Sequence, residues 1–143
     1  MQKISIASDH NGVALKDKII QYLGSLKYEV VDFGPKNDLE SVDYPDYAKK
    51  VCESILDEET SMGVLICGTG LGMSIAANRC SGIRAALCTD IFMVERARAH
   101  NDANILVLGN QISSEKNSLD MLKKFLNTSF EGGRHARRLS KIS

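Results

Sequence analysis

Cys67 closes an apolar run, Met62 to Cys67 (MGVLIC), and leads directly into Gly68-Thr69-Gly70-Leu71-Gly72. A thiol at such a strand-to-helix turn faces bare backbone amides and a helix N-terminus, which together favour the thiolate and bind anions. The spacing excludes several familiar chemistries. Gly68, Gly70 and Gly72 read GxGxG rather than GxGxxG, with Met73 next, so the dinucleotide fingerprint fails. No Lys-Ser/Thr pair ends the loop, which removes a Walker A phosphate loop. A phosphatase of the Cys-x5-Arg kind needs arginine six residues after its thiol, where this chain has Met73. A signalling receiver domain needs an acidic phosphoacceptor at this strand end, where this chain has Cys67. What survives is an amide-lined oxyanion pocket, with Thr69 adding a hydroxyl donor and Cys67 a base or nucleophile. The plainer alternative is a structural tight turn with a buried cysteine.

Other residues suited to chemistry are scattered along the chain. Asp9 and His10 directly follow the first apolar run, where they either meet a ligand or merely cap a helix. His100 ends the pattern Arg96-Ala97-Arg98-Ala99-His100-Asn101, a place where histidine often serves only the helix dipole. Arg134 and Arg138, four apart and so on one helical face, can grip a phosphate or can form a solvated basic face. Nucleic-acid binding is a weaker reading of this cluster, which is short and lacks aromatic interleaving. Cys52, Cys80 and Cys88 fall in apolar helix or strand patterns, where cysteine behaves as a small hydrophobe.

These groups need a scaffold, and the hydrophobic pattern supplies one. Short β-rich runs at Lys3 to Ala7, Glu29 to Phe33, Gly63 to Cys67, Ala85 to Cys88 and Asn104 to Leu108 alternate with helical patterns. The helices expected are Val13 to Leu23, Tyr47 to Leu56, Gly72 to Cys80, Ile91 to Ala99, Lys116 to Leu126 and a short basic one, Gly133 to Ile142. Alternation of this kind implies a mainly parallel sheet covered by helices. Ligands of such sheets bind beyond the carboxyl ends of the strands, and those ends carry Asp9-His10, Cys67 to Gly72 and Asn110. Gly34-Pro35 and the polar stretch Lys36 to Asp43 read as a surface loop.

A chain of 143 residues with 43% hydrophobic side chains is the size of one domain with its own core, expected over residues 1–143. Eighteen basic and 18 acidic side chains cancel, so no overall field draws the protein to nucleic acid or an anionic membrane. No stretch approaches the roughly 20 apolar residues of a membrane span, and no signal-peptide core follows Met1. The cysteines form no CxxC pair and no zinc-like spacing, in keeping with thiols in a reducing cytoplasm.

Taken together, Ser8-Asp9-His10-Asn11-Gly12, Asp43-Tyr44-Pro45, Cys67 to Gly72, Ala76-Ala77-Asn78, His100 to Asn104 and Glu131 to His135 resemble the ribose-5-phosphate isomerase B family, which also includes galactose-6-phosphate isomerase subunits. The resemblance runs from the first strand to the last helix. It implies a Rossmann-like three-layer α/β/α sandwich with a five-stranded parallel sheet. It also implies interconversion of ribose 5-phosphate and ribulose 5-phosphate through a cis-enediolate, with no metal or redox cofactor. By the family's pattern Cys67 is the base that moves a proton between C2 and C1. The amides of Gly68, Gly70, Leu71 and Gly72 and the Thr69 hydroxyl then stabilise the enediolate. His100 donates a proton to the ring oxygen, a task suited to histidine near neutral pH. Asn101 and Asn110 contact substrate, Asp9 holds sugar hydroxyls, and His10, Arg134 and Arg138 hold the phosphate or orient the substrate. Tyr44 and His135 line the pocket. One branch of the family uses a glutamate near the position of Met73 as base, and the thiol places this chain with the cysteine type. A homodimer or tetramer with sites shared between subunits is implied. The rivals are isomerisation of a six-carbon sugar phosphate, such as allose 6-phosphate or galactose 6-phosphate, and a phosphosugar-binding module without turnover.

Overall fold

The computed structural model describes residues 2–142. Five strands, β1 (Lys3–Ser8), β2 (Glu29–Asp32), β3 (Met62–Cys67), β4 (Ala85–Leu87) and β5 (Ile105–Gly109), alternate with helices α1 (Val13–Ser25), α2 (Tyr44–Leu56), α3 (Leu71–Asn78), α4 (Ile91–Ala99), α5 (Glu115–Asn127) and α6 (Arg134–Leu139). All strand pairs are parallel, in the order β2-β1-β3-β5-β4. The three-layer α/β/α sandwich expected from the sequence is the fold.

Burial on both faces explains why the central strands read as unbroken apolar runs. One face carries Ile4, Ile6, Val64, Ile66, Leu106 and Leu108 against Leu15 and Ile19 of α1, Val94 of α4 and Met121, Leu122 and Phe125 of α5. The other carries Ala7, Leu65, Cys67, Ile105 and Val107 against Ala48, Val51 and Cys52 of α2 and Met73 and Ala77 of α3.

Several boundaries differ from the periodicity. Helix α2 starts at Tyr44 rather than Tyr47, because Pro45 sits in its first turn, where a missing N–H costs nothing. Strand β4 ends at Leu87, which leaves Cys88 beyond it, and Cys80 lies past the end of α3 rather than within it. Both thiols remain unpaired.

The chain reverses direction across the sheet between β1 and β3. Going from β1 to β2 steps one way and from β2 to β3 the other, so the loops after β1 and β3 part at a topological switch point. Strand β5 flanks β3 on its other side, so the segments after β1, β3 and β5 share one sheet edge. The long loop after β2 is tied to this edge. Gly34 accepts from the Ser8 N–H (3.0 Å), and Asp32 accepts from the Gly34 N–H (2.8 Å) and from the fully buried Lys16 Nζ (2.9 and 3.0 Å). Among the described residues, no helix is long and apolar enough to cross a membrane.

Candidate active site

Cys67 is the last residue of β3, and its side chain is buried on the α2/α3 face. The following turn is stitched to the end of β5: the Asn110 N–H donates to the Cys67 carbonyl (3.1 Å) and the Gln111 N–H to that of Gly68 (2.9 Å). Gly70 adopts φ 83° as it enters α3, a left-handed conformation that favours glycine. Gly72 has a different reason. A Cβ there would lie 2.6 Å from Tyr44 Cζ, so the absence of a side chain lets the Tyr44 ring approach the start of α3.

The amides of this turn divide into two groups. Thr69 Oγ1 accepts from the Leu71 N–H (3.2 Å), which leaves its own hydroxyl proton to donate elsewhere. Among the described residues the N–H groups of Gly68, Gly70 and Gly72 have no acceptor within the chain. Three unpaired donors beside a thiol are what an oxyanion needs. The Leu71 amide, counted with them from sequence, is already engaged. The Asn110 side-chain Oδ1 is buried at the same edge without a hydrogen-bond partner.

Across the switch point, Asp9 is 6% exposed and its N–H donates to the Ile66 carbonyl (3.0 Å). Its Oδ1 accepts from the Asn11 N–H (2.9 Å) and its Oδ2 from Asn11 Nδ2 (3.3 Å), so the capping role weighed from sequence is present. His10 Nδ1 accepts from the Val42 N–H (3.2 Å), which puts the proton of the neutral ring on Nε2 and fixes its orientation through the long loop. Met73, the residue after Gly72, is wholly buried in the apolar layer.

The remaining predicted residues form a second cluster. Helix α4 runs back from the carboxyl end of β4 to the start of β5, so its C-terminal His100 and Asn101 lie at the opposite sheet edge, about 15–20 Å from Cys67 at ~3.3 Å per strand residue. The turn that carries them is clamped: Arg98 donates to the Ala103 carbonyl (2.7 Å) and Asp102 (3.0 Å), and Arg84 Nε to the Asn101 and Asp102 carbonyls (3.1 and 2.9 Å). Arg134 and Arg138 sit one turn apart on α6, both exposed. Between them His135 turns inward and stacks on His100, with ring centroids 4.0 Å apart and planes at 15°. Glu131 adjoins both rings. Sequence reasoning assigned it no role, although it stands in the Glu131 to His135 segment.

One chain therefore joins Asp9, His10, Tyr44, Cys67 to Gly72 and Asn110, and separately His100, Asn101, Arg134 and Arg138. It does not join the two sets. The His100, Glu131 and His135 ligand atoms lie within 4.8 Å of one another, the one metal-like grouping among the described residues. Near-parallel stacked imidazoles keep their nitrogen lone pairs side by side rather than converging, so this arrangement does not fit a shared ion. Burial, followed by the charges of His100 and Arg134, lowers the pKa of His135.

Comparison with known proteins bears on what these clusters do. A family model described as Ribose/Galactose Isomerase matches residues 4–142. Ribose-5-phosphate isomerase B of Escherichia coli strain K12 is 38% identical over 143 residues, covering 100% of this chain and 95% of its own. The solved ribose-5-phosphate isomerase B of Clostridium thermocellum superposes with a TM-score of 0.97 at 50% identity, covering 99% of this chain and 95% of that one. The Thermotoga maritima ribose 5-phosphate isomerase gives 0.96 at 55% identity, covering 99% and 97%. With a match over nearly its whole length and the same fold, the chain belongs to the ribose/galactose isomerase family.

Proposed function

We propose that this chain, as a single domain over residues 1–143, interconverts D-ribose 5-phosphate and D-ribulose 5-phosphate, an aldose-ketose step of the pentose phosphate pathway in the cytoplasm. The observation that carries the reading is the Cys67 thiol beside the unpaired amides of Gly68, Gly70 and Gly72. The named relatives add the substrate. Four unpaired cysteines suit a reducing compartment.

The reaction divides between the clusters. His100 protonates the ring oxygen as the sugar opens. The Cys67 thiolate removes the proton at C2, and the electrons of that bond form the C1–C2 double bond of the enediolate. The three amides and the Thr69 hydroxyl hold its oxygens, and fixed donors of this kind stabilise developing charge most strongly where water is excluded. As the hydroxyl proton passes from O2 to O1, the Cys67 thiol returns its proton to C1. Asp9 and Asn110 hold sugar hydroxyls. Arg134 and Arg138 grip the phosphate with His10, Asn101 orients the chain, and Tyr44 and Leu71 wall the pocket.

Such a division needs two copies of the chain. Around the edge strand β4 lie the exposed apolar residues Leu71 and Ile75 on α3 and Phe92 and Met93 on α4, a surface suited to a second subunit. Asn101 lines the clefts on both sides of this edge. A homodimer built here, alone or within a tetramer, brings the His100 cluster of one subunit to the Cys67 cluster of the other. The direct trial compares wild type and Cys67→Ala on ribose 5-phosphate by ketose formation. Loss of at least about 1,000-fold in kcat is expected for removal of the proton-transfer base, and undiminished turnover would remove Cys67 from the mechanism.

A further inference from the structure

Asn101 lies just past α4 as an exposed residue, and its carboxamide can serve a substrate only if the backbone that carries it is held still. No helix or strand holds it. The next residue, Asp102, has φ 45°, a left-handed conformation that a residue with a side chain adopts at a cost. Such a conformation persists only where the surroundings over-determine it.

Two arginines supply that constraint from opposite sides. Arg98 is buried, and its Nη1 donates to the Ala103 carbonyl (2.7 Å) and to Asp102 Oδ1 (3.0 Å), its Nε to the Thr128 carbonyl (3.2 Å). Its guanidinium also lies over the Phe125 ring, so it ties the far side of the turn to the core. Arg84, the residue before β4, takes the near side. Its Nε donates to the carbonyls of Asn101 (3.1 Å) and Asp102 (2.9 Å), and its Nη2 to Asp102 Oδ2 (3.4 Å). Among the described residues no other donor reaches either carbonyl. The Arg84 backbone is fixed against the same turn: its N–H donates to Asn104 Oδ1 (2.8 Å) and its carbonyl accepts from the Asn104 N–H (2.9 Å).

A guanidinium suits this place because it presents donors along two edges of one rigid plane, here one edge to carbonyls and the other to a carboxylate. The Arg84 side chain is 32% exposed and lines, with Asn101, a cleft beside β4. Its removal therefore costs the core little, whereas Arg98 would still hold Asp102 and Ala103.

We propose that Arg84 is a positioning residue: by holding the Asn101 and Asp102 carbonyls it fixes the direction in which the Asn101 carboxamide meets the sugar phosphate. The inference deepens the reading of Asn101 as a substrate contact and rests on it. Without the Nε donor the strained turn relaxes, and the carboxamide leaves its place.

The test is a double-variant cycle on kcat/KM for ribose 5-phosphate, made with the full chain. Arg84→Met should lower kcat/KM about 10-fold, since small misplacements of a contacting group are costly. Asn101→Ala should lose at least as much. The double variant should match Asn101→Ala within about 2-fold, because Arg84 has nothing left to position, whereas a general weakening of the fold would multiply the two losses. Arg84→Lys keeps a cation beside Asp102 but not the Nε donor, and should melt close to wild type while keeping the loss in kcat/KM. Full kcat/KM in Arg84→Met or Arg84→Lys, or losses that multiply in the double variant, would overturn the proposal. Full activity in Asn101→Ala would instead sink the reading of Asn101 as a substrate contact, and the proposal with it.

Discussion

Gly70 and Gly72 stand two residues apart in one turn, yet a methyl group added to each meets different opposition. At Gly70 it enters a backbone with φ 83° and lies 2.5 Å from Leu87 Cδ1 and 3.3 Å from the Leu108 carbonyl. At Gly72 it meets only the ring of Tyr44, a half-exposed side chain that can swing away, while alanine gains about 1 kcal/mol of helix propensity over glycine. Gly70→Ala should therefore destabilise the fold by about 1–3 kcal/mol in urea melts. Gly72→Ala should leave stability within about 1 kcal/mol of wild type but raise KM, because Tyr44 no longer walls the pocket. Unchanged KM in Gly72→Ala would detach Tyr44 from substrate binding. From sequence the two glycines look alike, since spacing shows a turn but not which side chain crosses it.

At the scale of elements, hydrophobic periodicity located the five strands and the six α-helices, because each buries a face of regular period, but not the single 3-10 turn at His10–Gly12. It missed what depends on contacts between distant segments. The start of α2 was hidden by polar Tyr44 to Asp46, and the insertion of β5 between β3 and β4 leaves no mark in either strand's pattern. Lys16 has the look of a surface residue, yet Asp32, 16 positions on, encloses its ammonium group. The docking of α6 on α4 through the His135–His100 stack likewise joins segments 35 residues apart. That docking has a consequence in acid. The folded state holds His135 with a lowered pKa, chiefly through burial, so protonation favours the unfolded chain. This contribution to stability is intact above the unfolded value of about 6.5 and is lost as pH falls from there toward the lower folded value. His135→Gln, which cannot titrate, should flatten the decline of the melting temperature between about pH 7 and 5. A decline as steep as wild type would place the acid sensitivity elsewhere.

For the whole molecule, the decisive property is that each chain carries both halves of the predicted site at opposite edges of its sheet. Sequence order gives every member of the set but no sense of this separation, since Cys67 and His100 are only 33 positions apart in a fold that sends α4 back across the sheet. If subunits complete one another's sites, defects in the two halves should complement. A mixed dimer of one Cys67→Ala chain and one His100→Asn chain gathers both defects in one site and leaves the other with Cys67 and His100 intact. Co-expressed in equal amounts, the two inactive variants should assort at random into half mixed dimers, each with one working site of two. Turnover should recover to about a quarter of wild type per chain. Disrupting the surface that joins them, with Phe92→Glu, should abolish that recovery and shift sedimentation to the monomer. Recovery requires the two groups to meet across a subunit boundary, whereas sites closed within each chain would leave the mixture as inactive as either variant alone.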